Sequence, residues 1–385
     1  MDLRESVLAM ARAEGFELAR IAAAGDLPEA REAARVALDA GYLAGMAWMT
    51  GEWLERATTP DRFLPGARSI VVVALPNHSP EPELPVEGGP ARGRIARYAR
   101  GRDYHRVFET RLRRIARRIR EELGAEARAT VDYGPLLERP QAELAGLAWR
   151  GKSTMALVPG FGPWVMLGVV ATTLALQPDE PLRKSCGSCT RCIAACPTGA
   201  IAADGHVVDS RLCISYQTIE NRGPIPRELR SKFGARVFGC DDCLDACPVG
   251  AGRFESHTDF LPASPEDAAP RLTELLSLDD AAFTERFRGR AIMRAKRDGL
   301  LRNACVALGN VGTPGDLDAL TGALTDRSPT VRGHAAWAVA ALANRHGLTT
   351  IARTPLENAL VLEHDSAARE EFVLALAELR RDTDG

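Results

Sequence analysis

Eight of the nine cysteines in this 385-residue chain lie between Cys186 and Cys247. The first run is Cys186-Gly-Ser-Cys189-Thr-Arg-Cys192-Ile-Ala-Ala-Cys196-Pro197, a C-x2-C-x2-C-x3-C-P pattern. Cys213 follows, then Cys240-Asp-Asp-Cys243-Leu-Asp-Ala-Cys247-Pro248. This is the spacing of bacterial two-cluster ferredoxins, where three thiolates hold one cubane and the cysteine before proline reaches the other. The symmetric assignment gives one [4Fe–4S] cluster Cys186, Cys189, Cys192 and Cys247, and a second Cys196, Cys213, Cys240 and Cys243. Zinc also takes four cysteines, but two zinc ribbons would use separate C-x2-C pairs and have no need of C-x3-C-P twice. The pattern therefore points to one-electron transfer without naming the acceptor. Cys305, on an Ala/Val/Leu helical face, reads as a buried apolar thiol.

Two other patterns match chemistry only in part. Gly146-Leu-Ala-Trp-Arg-Gly151-Lys152-Ser153 satisfies the phosphate-loop pattern, which requires a strand before it and a helix after it. Here Gln141 to Ala145 reads as helix and Thr154 to Val158 as strand, the reverse order. Asp103-Tyr104-His105 begins like a corrinoid D-x-H-x-x-G motif, but Phe108 stands where the glycine belongs. His105 is expected to be a surface residue at a helix N-terminus.

The elements that must position these residues fall into three segments. Residues 1–178 alternate helices with short apolar strands and predict an α/β domain. Helices over the first 60 residues break at Gly25, Gly41 and Gly51. The continuous β-branched run Ser69 to Leu75 reads as a buried strand. An arginine-rich helix is expected from Tyr104 to Leu123, stopped at Gly124, then strands at Ala127–Tyr133, Thr154–Val158 and Trp164–Thr172. Residues 179–260 form a Gly/Pro-punctuated, bacterial-ferredoxin-like segment whose core would be the clusters. Residues 271–385 are helical. Ala304-Cys-Val-Ala-Leu308 recurs about thirty residues later as Ala335-Ala-Trp-Ala-Val339, with a looser third copy from Arg369, which suggests HEAT-like helix pairs. The fold class is thus α+β and multidomain.

Composition excludes other classes. Hydrophobic residues make up 45 % and charged residues 26 %, as in an ordinary globular protein, and the longest apolar stretch is broken at Gly168, so no membrane span is expected. The first sixteen residues, mixed in charge, carry neither an apolar signal core nor twin arginines. A disulfide framework belongs to small secreted chains. A cytoplasmic, monomeric protein is the expectation.

Several stretches together resemble the epoxyqueuosine reductase family. They are Leu64-Pro-Gly-Ala-Arg-Ser69, Ile95-Ala-Arg-Tyr-Ala-Arg-Gly-Arg-Asp-Tyr-His105, Val131-Asp-Tyr-Gly-Pro-Leu-Leu-Glu-Arg139, the cysteine runs, Cys213-Ile-Ser-Tyr-Gln-Thr-Ile-Glu220, Arg222-Gly-Pro-Ile-Pro226 and Gly299-Leu-Leu-Arg-Asn-Ala-Cys-Val-Ala-Leu-Gly-Asn310. The resemblance implies a cobalamin-dependent enzyme that reduces the epoxide of epoxyqueuosine, at the tRNA wobble position, to queuosine. It implies cobalt without a protein histidine below it, and Asp132 as proton donor. From the residues alone Asp132 is equally a turn-capping aspartate. As a donor near neutral pH it needs a raised pKa, which burial beside apolar groups would supply. Arg56, Tyr98, Lys152, Ser153, Ser215 and Asp241 match family positions expected near the cobalamin. The chain departs from the family pattern at Arg150, Ser153 and Val249-Gly250. A corrinoid reductive dehalogenase shares the cobalamin and cluster regions but typically has an export signal and no helical repeats. A plain ferredoxin-like carrier would leave Asp132 and the long N-terminal domain without a role.

The resemblance also implies a tRNA anticodon stem-loop as partner and an external electron donor such as a flavodoxin or ferredoxin. Arg92 to Arg120 holds twelve arginines; a solvated helix face paired with Glu109, Glu121 and Glu122 accounts for them. A second basic stretch runs from Arg286 to Arg302. There Arg294, Lys296, Arg297 and Arg302, with Arg222, are the expected RNA contacts, and Tyr98 or Trp149 could stack on a flipped base.

Overall fold

In a computed structural model the described residues are 2–82, 89–250 and 256–381. The Pro-, Glu- and Gly-rich stretch 76–90, which the sequence predicts as a polar loop, therefore lies partly outside them. The chain divides into two compact units, one of residues 1–79, 101–211 and 241–261, the other of 80–100, 212–240 and 262–385. The cysteine segment does not stand as a unit of its own: Cys213 and Cys240 fall in the second unit and the other six in the first. A short segment without a sizeable apolar core has little else to pack against than larger neighbours.

The first unit is built on an antiparallel sheet. Helix α1 (Leu3–Ala13) leads into β1 (Leu18–Ala23), an edge strand that the sequence reading takes as helix. After α2 (Gly51–Ala57) comes β2 (Ser69–Pro76), which the apolar run predicts. Helix α3 (Tyr104–Leu123) matches its expected span and ends on left-handed Gly124. It is followed by β3 (Ala127–Thr130), α4 (Glu138–Leu144), the short strands β4 (Trp149–Arg150) and β5 (Ala156–Leu157), and β6 (Val165–Thr172). The four-stranded sheet has the order β1-β2-β6-β3, every pair antiparallel, with Val72 opposite Val169.

Both faces of this sheet are covered, which is why β2 reads as an unbroken apolar run and not as an alternating one. Helix α3 lays Val107, Phe108, Leu112, Ile115 and Ile119 on one face. Gly168 permits that close approach, since a Cβ there would sit 2.6 Å from the Phe108 ring. On the other face Ala142 and Ala145 join Ile70, Val72 and Val169 in one cluster. The helix N-terminus and the turn after β3 are thereby fixed by the same packed sheet.

The second unit pairs Arg94–Ile95 in parallel with Arg236–Phe238 and contains α5 (Ile214–Ile219) and the C-terminal helices. Three long ones, α6 (Lys296–Val311), α7 (Pro329–His346) and α8 (Ser366–Arg381), share one core with Phe233, Phe238 and Leu301. Helix α6 is buried on every side from Leu300 to Gly309, Arg302 and Asn303 included, as expected of a helix enclosed by others. Cys305 is fully buried in it, and burial pushes its thiol up. Among the described residues no helix is long and apolar enough to cross a membrane.

Candidate active site

A histidine held between two carboxylates forms the chemical centre of the first unit. Asp103 caps α3 and accepts the backbone N–H of His105 at 3.1 Å, a common way to satisfy a helix's first donors. The same Asp103 oxygen lies 2.7 Å from Nδ1 of His105. On the far side of the ring, Nε2 lies 3.0 Å from Oδ2 of Asp132, and the Tyr104 hydroxyl donates to that oxygen at 2.7 Å. His105 is thus not the plain surface residue that its helix-end position suggests; its side chain is 27 % exposed and tied to a residue 27 positions away.

The turn after β3 brings Asp132 there. Its backbone is left-handed, with φ 51°, a conformation that aspartate tolerates better than most side chains. Its N–H donates to Oε1 of Glu138, the first residue of α4, at 2.7 Å. Gly134 closes the turn so tightly that a Cβ would meet the Thr130 hydroxyl at 1.6 Å. The outer side is open: the Asp132 side chain is 58 % exposed, and so is Tyr133, whose ring stacks on His105 at 5.5 Å. Tyr104 stacks on the same imidazole at 4.0 Å.

The electrostatics reverse the expected protonation. Desolvation pushes the Asp132 carboxyl up, but hydrogen bonds from His105 and Tyr104, together with nearby positive charge, outweigh it and leave the group below its usual range. For His105, desolvation favours the neutral ring. The hydrogen bonds and charges of Asp103 and Asp132 overcome it and raise the imidazole to about 9. At neutral pH the proton of the pair therefore sits on His105 and Asp132 is ionised. Burial of the next carboxyl, Glu138, pushes it up to about 8, and the Asp132 charge adds to that despite the N–H it accepts.

A second centre lies in the same unit. Cys186, Cys189, Cys192 and Cys247 stand on the wall of one cavity of about 130 Å³. Burial raises the Cys247 thiol, and Cys186, Cys192 and Cys189 add to the effect by their proximity. Four thiols around a shared space suit a polynuclear iron–sulfur centre. Among the described residues no three His, Cys, Asp or Glu side chains are arranged around a single metal ion. Lys152 and Ser153, expected beside cobalamin, also wall this cavity, and Lys152 Nζ donates to the Gly187 carbonyl at 2.9 Å. The phosphate-loop pattern is a hairpin: β4 and β5 pair with Trp149 opposite Leu157, and Gly151 N–H donates to the Met155 carbonyl at 2.9 Å. No helix follows to hold a phosphate at its N-terminus. Trp149 is only 8 % exposed, so it is poorly disposed to stack on an incoming base.

The remaining expected residues are distributed between the units. Arg56 is exposed on α2, and Asp241 is a buried residue of the first unit. Tyr98 and Ser215 belong to the second unit, Tyr98 with its ring 6.1 Å from Phe238. Of the expected RNA contacts, Arg302 is buried at 1 % exposure. It donates to the backbone carbonyls of Gln217, Asn221 and Gly223, so its guanidinium is taken up by the fold. Arg297 holds the Leu278 carbonyl and Asp326. Arg222 donates to the Ala295 carbonyl, and Arg294 pairs with Glu220 while remaining 54 % exposed. Lys296 is exposed. In the first basic stretch Arg113, Arg117 and Arg118 pair with Glu109, Glu121 and Glu122 along α3.

Comparison with known proteins adds relatives to this geometry. A family model described as "Epoxyqueuosine reductase QueG, DUF1730" matches residues 57–133, a "4Fe-4S double cluster binding domain" matches 185–250, and "HEAT repeats" match 288–377. An epoxyqueuosine reductase of Gloeobacter violaceus is 41 % identical over 310 residues, covering 78 % of this chain and 94 % of the relative. One of Escherichia coli is 38 % identical, covering 82 % and 83 %. A crystal structure of epoxyqueuosine reductase with an epoxyqueuosine-modified tRNA-Tyr stem loop superposes with a TM-score of 0.91 at 31 % identity, over 98 % of this chain and 99 % of that one. A Bacillus subtilis epoxyqueuosine reductase, with its catalytic aspartate loop swung out of the active site, gives 0.90 at 30 % identity, over 98 % of each chain.

Proposed function

The chain belongs to the epoxyqueuosine reductase family, and from that premise we propose which of its residues carry the reaction. It reduces epoxyqueuosine in tRNA to queuosine. The overall change consumes two electrons and two protons: both C–O bonds of the epoxide break, a C=C bond forms, and the oxygen leaves as water. Two [4Fe–4S] clusters pass electrons singly. Cys186, Cys189, Cys192 and Cys247 hold one of them, and Cys196, Cys213, Cys240 and Cys243 hold the other.

Cobalamin is the proposed acceptor of these electrons. A corrin carries amides and a phosphate at its rim, and in the first unit the exposed guanidinium of Arg56, the ammonium of Lys152, the hydroxyl of Ser153 and the carboxylate of Asp241 are groups that suit them. Tyr98 and Ser215, of the second unit, are proposed from the family resemblance. When bound, cobalamin supplies a reduced metal centre able to attack the epoxide. The tRNA anticodon stem-loop is the proposed docking partner, with Lys296 and Arg294 retaining exposed charge for its backbone. A flavodoxin- or ferredoxin-like donor would supply the electrons.

The observation that carries the proton chemistry is the contact between His105 Nε2 and Asp132 Oδ2. Asp132 faces the open side and delivers the proton to the departing oxygen. His105 stands behind it, charged at neutral pH; it first passes its Nε2 proton to the ionised Asp132, becoming neutral, and Asp132 then delivers that proton to the oxygen. Asp103 holds the imidazole by Nδ1 throughout, so the ring cannot turn away. The second proton comes from solvent along the exposed face of Asp132. Anaerobic incubation with cobalamin, a reductant and epoxyqueuosine-containing tRNA, followed by nucleoside mass spectrometry, tests the reaction. Loss of one oxygen mass is expected, and its retention would sink the reading.

A further inference from the structure

The Trp149 indole N–H is buried and meets no acceptor on the protein. Leaving such a donor unpaired in the interior is costly, and folded proteins rarely do so. The residue cannot readily turn outward. Its backbone is fixed by pairing with Leu157, and the Lys184 ammonium lies 5.6 Å from its ring centroid. Trp149 walls the same cavity as Cys186, Cys189, Cys192 and Cys247. A cluster held there would bring thiolate and sulfide sulfurs, which are negatively charged acceptors, into that cavity.

We propose that the Trp149 indole N–H donates a hydrogen bond to a sulfur of the cluster held by Cys186, Cys189, Cys192 and Cys247, and so favours its reduced state. Reduction adds negative charge to the sulfurs, and an N–H aimed at them stabilises the reduced form more than the oxidised one. Hydrogen bonds to sulfur are among the features that set cluster potentials. In this reading Trp149 tunes electron transfer through that cluster and is not a platform for a base.

The inference rests on this cavity holding a cluster, and iron and sulfide content of the anaerobically reconstituted wild-type protein tests that premise separately. Two altered proteins test the hydrogen bond: Trp149→Phe, and the full chain carrying benzothienylalanine at position 149, which keeps the bicyclic shape with a ring sulfur in place of the N–H donor. In a redox titration followed by electron paramagnetic resonance, one cluster should become harder to reduce in both. Its reduced-to-oxidised ratio at a fixed ambient potential should fall about tenfold, equivalent to about 59 mV for a one-electron couple. Wild-type protein labelled with indole-15N tryptophan should show a 15N hyperfine coupling to that reduced cluster, absent from Trp149→Phe. If the Phe protein fails to hold the cluster, the benzothienylalanine protein decides. Unmoved midpoints at full cluster content, with no 15N coupling, would overturn the proposal. A wild-type protein without iron at this site would overturn the premise as well.

Discussion

His105 and Asp132 share a proton across 3.0 Å, and the histidine holds it. A carboxyl that had to stay protonated by burial would conflict with the openness of its own site, where Asp132 is 58 % exposed. Keeping the proton one residue deeper removes that conflict. The imidazolium is stabilised by Asp103 and Asp132 together, and the outer carboxylate receives its proton from behind.

Replacing Asp132 by Asn should lower turnover by roughly 10²–10⁴-fold, the usual range for a positioned general acid. Asparagine tolerates the same backbone, so the turn should survive. Single-turnover assays alongside the iron–sulfur absorbance check this; retained activity would remove Asp132 from the chemistry.

The pH profile should carry an alkaline limb from His105. Its folded pKa is raised from 6.5 to about 9, so the folded protein binds more protons in that window. The stabilisation it contributes is complete below about 6.5 and is lost as pH rises through about 9, and the loaded proton disappears over the same limb. His105→Gln should lower the rate and abolish this limb. A profile identical to wild type would exclude the relay.

Glu138 separates geometry from charge. Its carboxyl, pushed up to about 8 by burial, accepts the Asp132 N–H at 2.7 Å. Glu138→Gln keeps an acceptor there and should retain activity near pH 7, whereas Glu138→Ala frees the turn and should not. Equal loss in both proteins would mean that the acceptor is not what matters.

Cys247→Ser should remove one cluster and about half of the iron, leaving the magnetic signature of the other. If Cys247→Ser and Cys196→Ser instead deplete the same cluster, the wiring given above is wrong.

Arg302→Ala should destabilise the protein by roughly 3 kcal/mol, because several buried carbonyls lose their donor at once; thermal unfolding measures this. The salt dependence of tRNA binding by the folded fraction should not change. Lys296→Ala should leave stability alone and flatten that salt dependence by about one unit of slope.

Much of the fold was legible because it depends on local pattern. The run at Ser69, the helix stop at Gly124 and the cysteine spacing each carry their reason in neighbouring residues. Strand β1 was missed because Leu18–Ala23 lies at the sheet edge and is rich in alanine, with no strong alternation. His105 was missed because the residue that gives it a role is 27 positions away and joins it only when α3 and the β3 turn pack on one sheet. Charge counting misplaced Arg302. Its flanks, Leu300-Leu301 and Asn303-Ala304, already described a position with no solvent side. Trp149 reads from sequence as a residue able to stack on a base because an aromatic gives the same cue whether its ring faces water or the wall of a buried cavity.

The left-handed backbone at Asp132 restricts what evolution could put there. Glycine, asparagine and aspartate accommodate that conformation most readily, and of these three only aspartate carries a titratable group. Glutamate, the usual conservative exchange, offers the same acid on a backbone that resists the turn. One position is thus screened twice, by backbone shape and by acidity, and aspartate passes both screens.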